Sequence, residues 1–480
     1  MDPFRSIEDL SGDLREGRVS PIAVTRAMLA RIAIHDGELG AFTHVAADAL
    51  AQAETAEHEI RQGQWRGPLH GVPIALKDNY LTIDMPTTAG SDAPGLTFPF
   101  SDSAVARRLR QAGAVLIGKT RTHEFAWGTT TPPTRNPWNL ERVPGGSSGG
   151  SGAAVAAGLC AGALGSDTGG SVRIPASLCG VVGFKPTFGR ISRAGIVPHS
   201  WSLDHAGPLA RSVTDAAILY ETLAGPDPDD PATSPRPPEP VRAALAQGVA
   251  GLRVGICQNH FFDRNQDDVG AAISGVVDWF AQAGADVRHV RWPNLAYGLG
   301  AIFAIELASS TAYHHASLQN GVTNGFQPDV RLLIEMGRYV TAADYLRAEQ
   351  IRRVLMEDAS RILSEVDILI GPTAPLTAWA VGAETVEIGG APESVLAASW
   401  RLTYPFNLTG LPSISLPCGF DAESLPIGLQ IAGRFYDERT VSRAAHAYEM
   451  AHPWRDRRPP AFGDRSASET HTRSNPYDRA

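Results

Sequence analysis

A run of small residues, GGSSGGSGAAVAAG at positions 145–158, most constrains how this chain can fold. Glycine and serine by themselves are typical of a flexible linker. Here they lead directly into AAVAAGLCAGALG, residues 153–165, an apolar segment whose small side chains permit close packing in a protein interior. We therefore expect 145–152 to be a fixed turn rather than a tether, and 153–165 to form a buried helix.

Known glycine-rich sites differ in what must surround the glycines. A phosphate-binding loop needs a lysine at the start of its helix, and this segment has none. A dinucleotide-binding turn needs an apolar strand before it, and TRNPWNLERVPG is not one. A nucleophile elbow, G-x-S-x-G, matches around Ser148 but needs the same missing strand. The elbow is disfavoured and stays open as an alternative.

A second glycine-rich turn, residues 168–171 in DTGGSVRIPA, places Ser171 24 positions after Ser147. Glycines adopt positive φ and let several backbone N–H groups approach a single oxygen. Such a cluster of donors is what an acyl-transfer nucleophile needs to stabilise its oxyanion. The paired turns therefore predict a site where serine hydroxyls perform acyl transfer.

The overall composition limits the classes of partner. The 480 residues carry a net charge of −9 with no block of Lys or Arg, which argues against nucleic acid or an anionic membrane as a partner. Because no run of 18 or more apolar residues occurs and the start MDPFRSIEDL lacks a basic patch before an apolar core, we expect neither a membrane helix nor a signal peptide. Four scattered cysteines predict a reduced, cytoplasmic protein. His123 and Glu124 begin like a zinc helix, but Trp127 replaces the second histidine, so we expect no metal and no cofactor.

Apolar strands alternate with helical segments along most of the chain, and this alternation predicts an α/β fold. We expect a large, mixed, mostly parallel central sheet covered by helices on both faces. Predicted strands are 71–79, 114–118, 366–372, 413–417, 427–433 and the segment GLRVGIC, and predicted helices begin at Ser20-Pro21 and span 102–111 and about 267–283.

The domain organisation is expected to be simple. A single domain is predicted over residues 1–465, with a more variable region at about 226–365. Its proline-rich start, 226–240, is expected to be a surface connection, because such dense proline prevents regular structure. The polar tail 466–480 is expected to be disordered.

Nine long segments share the motifs of one known family. They are GPLHGVPIALKDN, TTAGS, GAVLIGKTRTHEFAWG, TRNPWN, VPGGSSGGSGAAVAAG, GSDTGGSVRIPASLCGVVGFKPTFGR, SLDHAGPLARSV, TYPFNLTGLPSISLPCGF and PIGLQIAGRFYDERTV. On these segments the chain resembles the amidase signature family of serine hydrolases, over almost all of residues 5–462. The likeness is weakest between about 226 and 365.

The resemblance implies a role for each matched residue. Lys77 of ALKDN corresponds to the base, and Ser147 to a bridging serine that follows a cis peptide bond. Ser171 corresponds to the nucleophile. The family's oxyanion hole corresponds to the backbone N–H groups of Thr168, Gly169, Gly170 and Ser171. The implied reaction is hydrolysis of an amide through an acyl-enzyme.

Elementary chemistry sets conditions on this machinery. A serine hydroxyl needs a neighbouring base to become a good nucleophile. A lysine can serve only when it is neutral, so burial or nearby charge must lower its pKa from about 10.4. Lys77, at the end of an apolar strand, suits this requirement. Ser148 and Asp167 are expected to hold the two turns together, and Arg173 either pairs with Asp167 or contacts substrate.

Substrate and assembly are less constrained by the sequence. Trp127 and Trp201 lie in or close to matched segments; they are expected to line the substrate pocket, with a place in the core as the alternative for either. Aryl amides, aliphatic amides and carbamates all fit as small-molecule substrates. Two assemblies are considered: a stand-alone amidase, which could form a homodimer, and a glutaminase subunit of a tRNA-dependent amidotransferase. The stand-alone amidase is favoured, because the short segment TTTPP and the divergent middle of the chain suit a free-standing enzyme. A non-catalytic binding homologue is disfavoured, because the lysine and both serines are retained together.

Overall fold

The computed structural model describes residues 2–462, and its main feature is a central sheet flanked by helices. The strands are β1 (Phe42–Val45), β2 (Pro73–Lys77), β3 (Val115–Thr120), β4 (Gly162–Asp167), β5 (Val182–Lys185), β6 (His205–Ala210), β7 (Arg253–Cys257), β8 (Asp286–Val290), β9 (Ile368–Pro372), β10 (Thr385–Ile388), β11 (Ala391–Ser394), β12 (Ser413–Phe420) and β13 (Pro426–Gly433). The helices are α1 (Ile7–Arg15), α2 (Pro21–Leu39), α3 (Ala49–Arg61), α4 (Ala104–Gln111), α5 (Gly149–Ala156), α6 (Arg173–Cys179), α7 (Val213–Leu223), α8 (Gln258–Phe261), α9 (Asp267–Gln282), α10 (Gly298–Tyr313), α11 (His315–Gln319), α12 (Pro328–Met336), α13 (Ala342–Glu365), α14 (Val395–Trp400), α15 (Pro405–Leu408) and α16 (Glu438–Ala451).

Eleven of the strands in residues 2–462 form one mixed sheet, in the order β1-β3-β2-β4-β6-β5-β12-β13-β9-β7-β8. Four neighbouring pairs are parallel: β2–β3, β2–β4, β7–β8 and β7–β9. The other six are antiparallel. The predicted α/β fold with a large mixed sheet is confirmed, but parallel pairs do not dominate it. Of the six antiparallel pairs only β12 and β13 are joined by a short turn, and the antiparallel pairs from β4 to β9 fill the middle of the sheet.

The strongest local signals match the observed elements. Helix α2 begins at Pro21, and the Ser20 side chain accepts hydrogen bonds from the backbone N–H groups of Ile22 and Ala23. The predicted strand 71–79 is β2, with Lys77 as its last residue. The predicted helices 102–111 and 267–283 correspond to α4 and α9.

The small-residue segment 153–165 is the main local error, because it is not one helix. Helix α5 starts earlier, at Gly149, and ends at Ala156. Gly158 then has φ +66°, a left-handed conformation that ends a helix. Residues Gly162–Asp167 continue as strand β4, where a side chain on Gly162 would press against Leu219 and Ile7. Small residues are therefore required for close packing in a strand as well as in a helix.

Strands β2 and β4 position the candidate site. They are parallel neighbours, with Ile74 opposite Gly162 and Leu76 opposite Leu164. Their carboxyl ends therefore lie side by side at one edge of the sheet, where parallel α/β structures commonly bind ligands.

One helical stretch, Leu295–Tyr313, is long and apolar enough to cross a membrane by length and composition alone, with a mean hydropathy of 1.4. Of that window, 44% is buried inside the protein. Helix α10, which makes up most of it, packs against α12 and α13. The core helix of a folded protein has the same composition, so this stretch is weak evidence for a membrane, and the expected lack of a membrane partner stays a prediction.

The remaining organisational predictions concern the linker and the tail. Residues 226–240 contain no helix or strand, as the dense proline predicted. The expected tail at 466–480 lies outside the described residues.

Candidate active site

Lys77 ends a strand that is buried along its whole length. Its Nζ atom donates one hydrogen bond to Ser147 Oγ at 2.8 Å and another to Ser166 Oγ at 2.9 Å. The lysine is completely buried, as is Ser147. The structure therefore brings together the lysine and the bridging serine that the sequence motifs paired.

Burial lowers the pKa of Lys77 from its ordinary 10.5 to about 7, because the charged ammonium loses its hydration in the interior. The carboxylates of Asp204 and Asp167 act in the opposite direction and raise it. With a pKa near 7, a substantial fraction of the amine is neutral at neutral pH. A neutral amine can accept a proton from a hydroxyl group.

Ser147 is held in a tight turn against the loop before it. The Gly146–Ser147 peptide bond is cis, as the resemblance predicted. A side chain at Gly146 would overlap the backbone of Thr130, so only glycine fits there. The Ser147 carbonyl accepts hydrogen bonds from the His123 backbone N–H at 3.1 Å and from Thr131 Oγ1 at 3.2 Å. These contacts fix the residue whose hydroxyl meets Lys77.

Ser148 joins the two glycine-rich turns. Its backbone N–H donates to the Ser171 carbonyl at 3.2 Å, and its hydroxyl donates to the Ser166 carbonyl at 3.2 Å. The side chain is completely buried, and no named strand lies between β3 and α5 in the described chain. The nucleophile-elbow alternative is therefore wrong, since it needs an exposed serine after a strand.

The turn at residues 168–171 presents free backbone donors. Within residues 2–462, none of its four N–H groups donates a hydrogen bond to another protein group. Gly170 has φ +143°, and a side chain there would overlap the Thr403 hydroxyl. A Cβ atom at Gly169 would lie 2.6 Å from the Trp400 ring. Both glycines are thus required for close packing, and the unpaired N–H groups are available to an oxyanion.

Asp167 and Arg173 form a completely buried ion pair, with Arg173 Nη2 2.9 Å from Asp167 Oδ1. Burial alone would raise the pKa of Asp167, but the Arg173 guanidinium holds it well below its usual value. Arg173 also donates to the Thr403 carbonyl and to the side chains of Gln430 and Asn407. Arg173 is completely buried and is not part of the cavity wall beside Ser171, which favours pairing with Asp167 over contact with substrate. The pair fixes the start of α6, directly after Ser171.

Ser171 lies in the wall of a cavity at the carboxyl edge of the sheet. Much of the wall is apolar, formed by Ala126, Trp127, Ile174, Phe303, Leu396 and Trp400. The structure thus places Trp127 beside Ser171. The expectation for Trp201 is wrong, because this residue is 66% exposed and lines a separate surface pocket with Arg193. The turn that buries His199 and Ser200 leaves the next side chain on the surface.

Comparison with known proteins now identifies the family. The model of the Amidase family matches residues 23–441. The chain belongs to the amidase family. An amidase of Pseudomonas putida is 42% identical over 461 residues, which cover 95% of this chain and 98% of that protein. The glutamyl-tRNA(Gln) amidotransferase A subunit of Cyanothece sp. is 41% identical over 485 residues, covering 95% and 99%. The chain is accordingly an amide-hydrolysing enzyme.

Solved structures of the amidase family have the same fold. A bacterial aryl acylamidase of the amidase signature family superposes with a TM-score of 0.87 at 27% identity, covering 95% of this chain and 98% of that one. A 6-aminohexanoate cyclic dimer hydrolase complexed with substrate gives a TM-score of 0.85 at 30% identity, covering 96% and 100%. The predicted amidase signature fold is confirmed.

Sequence reasoning missed Asp204 in this amidase. Its carboxylate accepts hydrogen bonds from the Thr168 hydroxyl at 2.7 Å and from the His199 backbone N–H at 2.9 Å. It also accepts from the Ser200 backbone N–H at 3.0 Å. The aspartate therefore ties the start of the donor turn to the segment carrying His199. Asp204 lies in the matched segment SLDHAGPLARSV, but that motif alone does not indicate which groups the carboxylate contacts.

His199 and Glu306 are two further polar residues that the sequence left unassigned. Both are buried and both line the amidase's cavity. His199 Nε2 lies 3.9 Å from Glu306 Oε2, and the His199 ring packs edge-on against Trp127. Burial alone would lower the pKa of His199, but Glu306 raises it above its usual value. The two residues are far apart in sequence and belong to no shared motif.

Proposed function

We propose that this enzyme hydrolyses amides through a Ser171 acyl-enzyme, with Lys77 as the base and Ser147 as the relay. The observation that carries the proposal is the 2.8 Å hydrogen bond from Lys77 to Ser147, made by an amine whose pKa is lowered to about 7. The turn with Ser147 is bonded to the turn with Ser171 through the Ser148 N–H. This backbone contact brings the two turns together, and in the proposed mechanism one proton passes from the Ser171 hydroxyl through Ser147 to Lys77.

The first half-reaction forms the acyl-enzyme. Ser171 Oγ attacks the amide carbonyl carbon while its proton passes to Ser147, and the Ser147 proton passes to neutral Lys77. The oxyanion is stabilised by N–H groups of residues 168–171. When the C–N bond breaks, the relay returns the proton to the departing nitrogen, which leaves as an amine or ammonia.

The second half-reaction uses water. Water attacks the acyl carbon, and its proton passes through Ser147 to Lys77, as in acylation. The second tetrahedral intermediate collapses by breaking the bond to Ser171 Oγ, which recovers a proton from the relay. The products are a carboxylic acid and the regenerated enzyme. Every step of the proposed reaction uses groups of this chain and water, so the proposal invokes no cofactor; a cytoplasmic location is proposed from the scattered cysteines alone.

The cavity favours substrates with an apolar body. Trp127, Phe303 and Trp400 present aromatic surface next to Ser171. Aromatic walls pack well against aryl groups, so aryl amides and aryl carbamates are the proposed substrates. One relative in structure is an aryl acylamidase and another is a cyclic dimer hydrolase, so this fold accommodates different amides.

A second candidate function is the glutaminase subunit of a tRNA-dependent amidotransferase. It is supported by the 41% identity to an amidotransferase A subunit over nearly the whole of both chains. A stand-alone or homodimeric amidase should hydrolyse aryl amides as the purified chain. A glutaminase subunit should act on glutamine and should need partner subunits for full activity.

The experiment that tests the proposal is labelling by phenylmethylsulfonyl fluoride, followed by peptide mass spectrometry. Sulfonylation of Ser171 together with loss of aryl amidase activity is the expected result. Ser171→Ala should remove both the label and the activity. Ser274→Ala is the matched control, because this serine is exposed on α9, far in sequence from the site motifs. A label on Ser148, or activity surviving in Ser171→Ala, would contradict the proposal.

A further inference from the structure

Glu306 places a carboxylate in the cavity wall beside the turn at residues 168–171. The residue lies on α10 and is 3% exposed. Its Oε1 atom is 3.5 Å from the position that a Cβ atom would occupy at Gly169. A carboxylate oxygen is therefore only a few ångströms from the N–H groups proposed to hold the substrate carbonyl.

Within the described residues this carboxylate has one long contact, to the ring of His199. The hydrogen bonds within residues 2–462 include none to Glu306, and its ion-pair partner His199 is 3.9 Å away. That separation is longer than a hydrogen bond. A buried carboxylate with only one long contact has replaced just part of its hydration, and this costs free energy. A ligand that supplies the donor would remove that cost.

His199 leaves one nitrogen for the same space. Its Nδ1 atom lies 3.2 Å from the Phe125 carbonyl, which can only accept, so Nδ1 carries the hydrogen. Nε2 is then the atom that faces Glu306. Both residues line the cavity, so a small polar group of a ligand lying there can contact the imidazole and the carboxylate together.

We infer that Glu306 is a specificity-determining residue that selects amides whose acyl group carries a hydroxyl or amino hydrogen-bond donor within two atoms of the scissile carbonyl. The inference rests on the proposed function, since it takes Ser171 as the attacking residue and residues 168–171 as the oxyanion site. The donor lies in the cavity beside His199 and binds the Glu306 carboxylate. The apolar remainder of the acyl group packs on Trp127, Phe303 and Trp400.

Three amides with one skeleton test the inference. 2-Hydroxypropanamide, 2-aminopropanamide and 2-methylpropanamide differ only in a hydroxyl, amino or methyl group next to the carbonyl carbon. For the wild-type enzyme, kcat/KM for at least one donor-bearing amide should exceed that for 2-methylpropanamide by about tenfold or more, as for a hydrogen bond to a charged group. Preference for the hydroxyl compound alone identifies a neutral donor, and preference for the amino compound alone identifies a cation.

Variants at position 306 decide whether this preference comes from the carboxylate. Glu306→Leu should bring the ratio close to one, while 2-methylpropanamide is still hydrolysed. Glu306→Gln keeps the shape of the side chain and should give an intermediate ratio of kcat/KM for the donor-bearing amide to that for 2-methylpropanamide. If the leucine variant does not fold, the glutamine variant alone tests the role of the carboxylate. Glu438→Gln is the matched control, because Glu438 is equally buried but bonds to the Thr187 N–H outside the cavity. Its ratio should equal that of the wild type.

The outcomes separate this inference from the proposed function. Equal kcat/KM for all three amides, or a preference that persists in both Glu306 variants, would overturn the inference and leave the Ser171 mechanism intact. Cleavage of aryl amides without cleavage of either donor-bearing amide would also overturn it. Hydrolysis that survives in Ser171→Ala would instead overturn the proposed function.

Discussion

The Nζ atom of Lys77 lies 2.8 Å from the Oγ atom of Ser147, and both side chains are completely buried. Burial is what makes this lysine useful, because it lowers the pKa of the amine to about 7. An exposed lysine would hold its proton at neutral pH and could not accept another. The account of this enzyme depends on this buried contact, and the predictions below test its parts.

Lys77→Met should abolish most of the amidase activity while the chain stays folded. General-base catalysis contributes about 10²–10⁴-fold to a rate, so kcat should fall by at least about a hundredfold. A buried methionine has a volume similar to that of lysine and carries no charge, which limits the effect on folding. Steady-state kinetics with an aryl amide and thermal unfolding provide the two measurements.

Lys185→Met is the matched control for that variant. Lys185 is also completely buried, but its Nζ atom donates to the carbonyls of Pro186 and Leu411 rather than to a serine. The control should lower the melting temperature and retain most of kcat. If both variants lose activity equally, the special role of Lys77 is not supported.

The pH profile should rise with pH through the pKa of Lys77. Below about pH 7 the amine is protonated and cannot act as a base, so kcat/KM should fall by about tenfold per pH unit there. Above that value the amine is neutral and the profile should level off. Initial rates between pH 5 and pH 9, with stability checked at each pH, test this prediction. A flat or acid-favoured profile would contradict it.

Gly170→Ala should damage both stability and activity. The residue has φ +143°, and a Cβ atom would overlap the Thr403 hydroxyl, so strain of about 1–3 kcal/mol or more is expected in the free energy of unfolding. The shifted N–H groups should also lower kcat. Urea denaturation and kinetics measure the two effects.

Gly270→Ala should have the opposite effect on stability. This glycine lies in α9 with no other group within 4 Å of its Cβ position, so alanine should stabilise the helix by about 0.5–1 kcal/mol. Activity should not change. Equal effects of the two alanine substitutions would contradict the proposed need for glycine at the donor turn.

Arg173→Met should destabilise the fold, because it leaves the Asp167 carboxylate buried without its cation. Breaking such a pair costs about 3–5 kcal/mol. The guanidinium lowers the pKa of Asp167, so the stabilisation is present above the ordinary carboxyl pKa and is lost as the pH falls through the lowered value in the folded protein. Urea denaturation at several pH values would show a smaller acid dependence in the variant. An unchanged midpoint would contradict this role.

The parts of the site that motifs encode were predictable from sequence, and the parts created by tertiary contact were not. Lys77, Ser147 and Ser171 each sit in a long segment with a distinctive pattern, and the structure places the first two in direct contact. Glu306 and His199 meet only because α10 packs over the cavity. No local pattern marks such a pair.

The same distinction holds for the fold. Hydrophobic patterning located β2, β9 and β13, but it does not encode the direction in which strands pair, so the balance of parallel and antiparallel neighbours was wrong. Alanine and glycine fit both a buried helix and a buried strand, so the boundary between α5 and β4 was missed. Trp201 directly precedes a matched segment, yet one turn of backbone places it on the surface.

The measurement that tests the central claim most directly is the rate of Ser171 sulfonylation as a function of pH in the wild type, Ser147→Ala and Lys77→Met. The account predicts a wild-type rate that rises with a midpoint near pH 7, and a rate at least about a hundredfold lower in both variants. A wild-type rate independent of pH, or undiminished labelling of Ser171 in Lys77→Met, would show that the buried amine does not activate this serine.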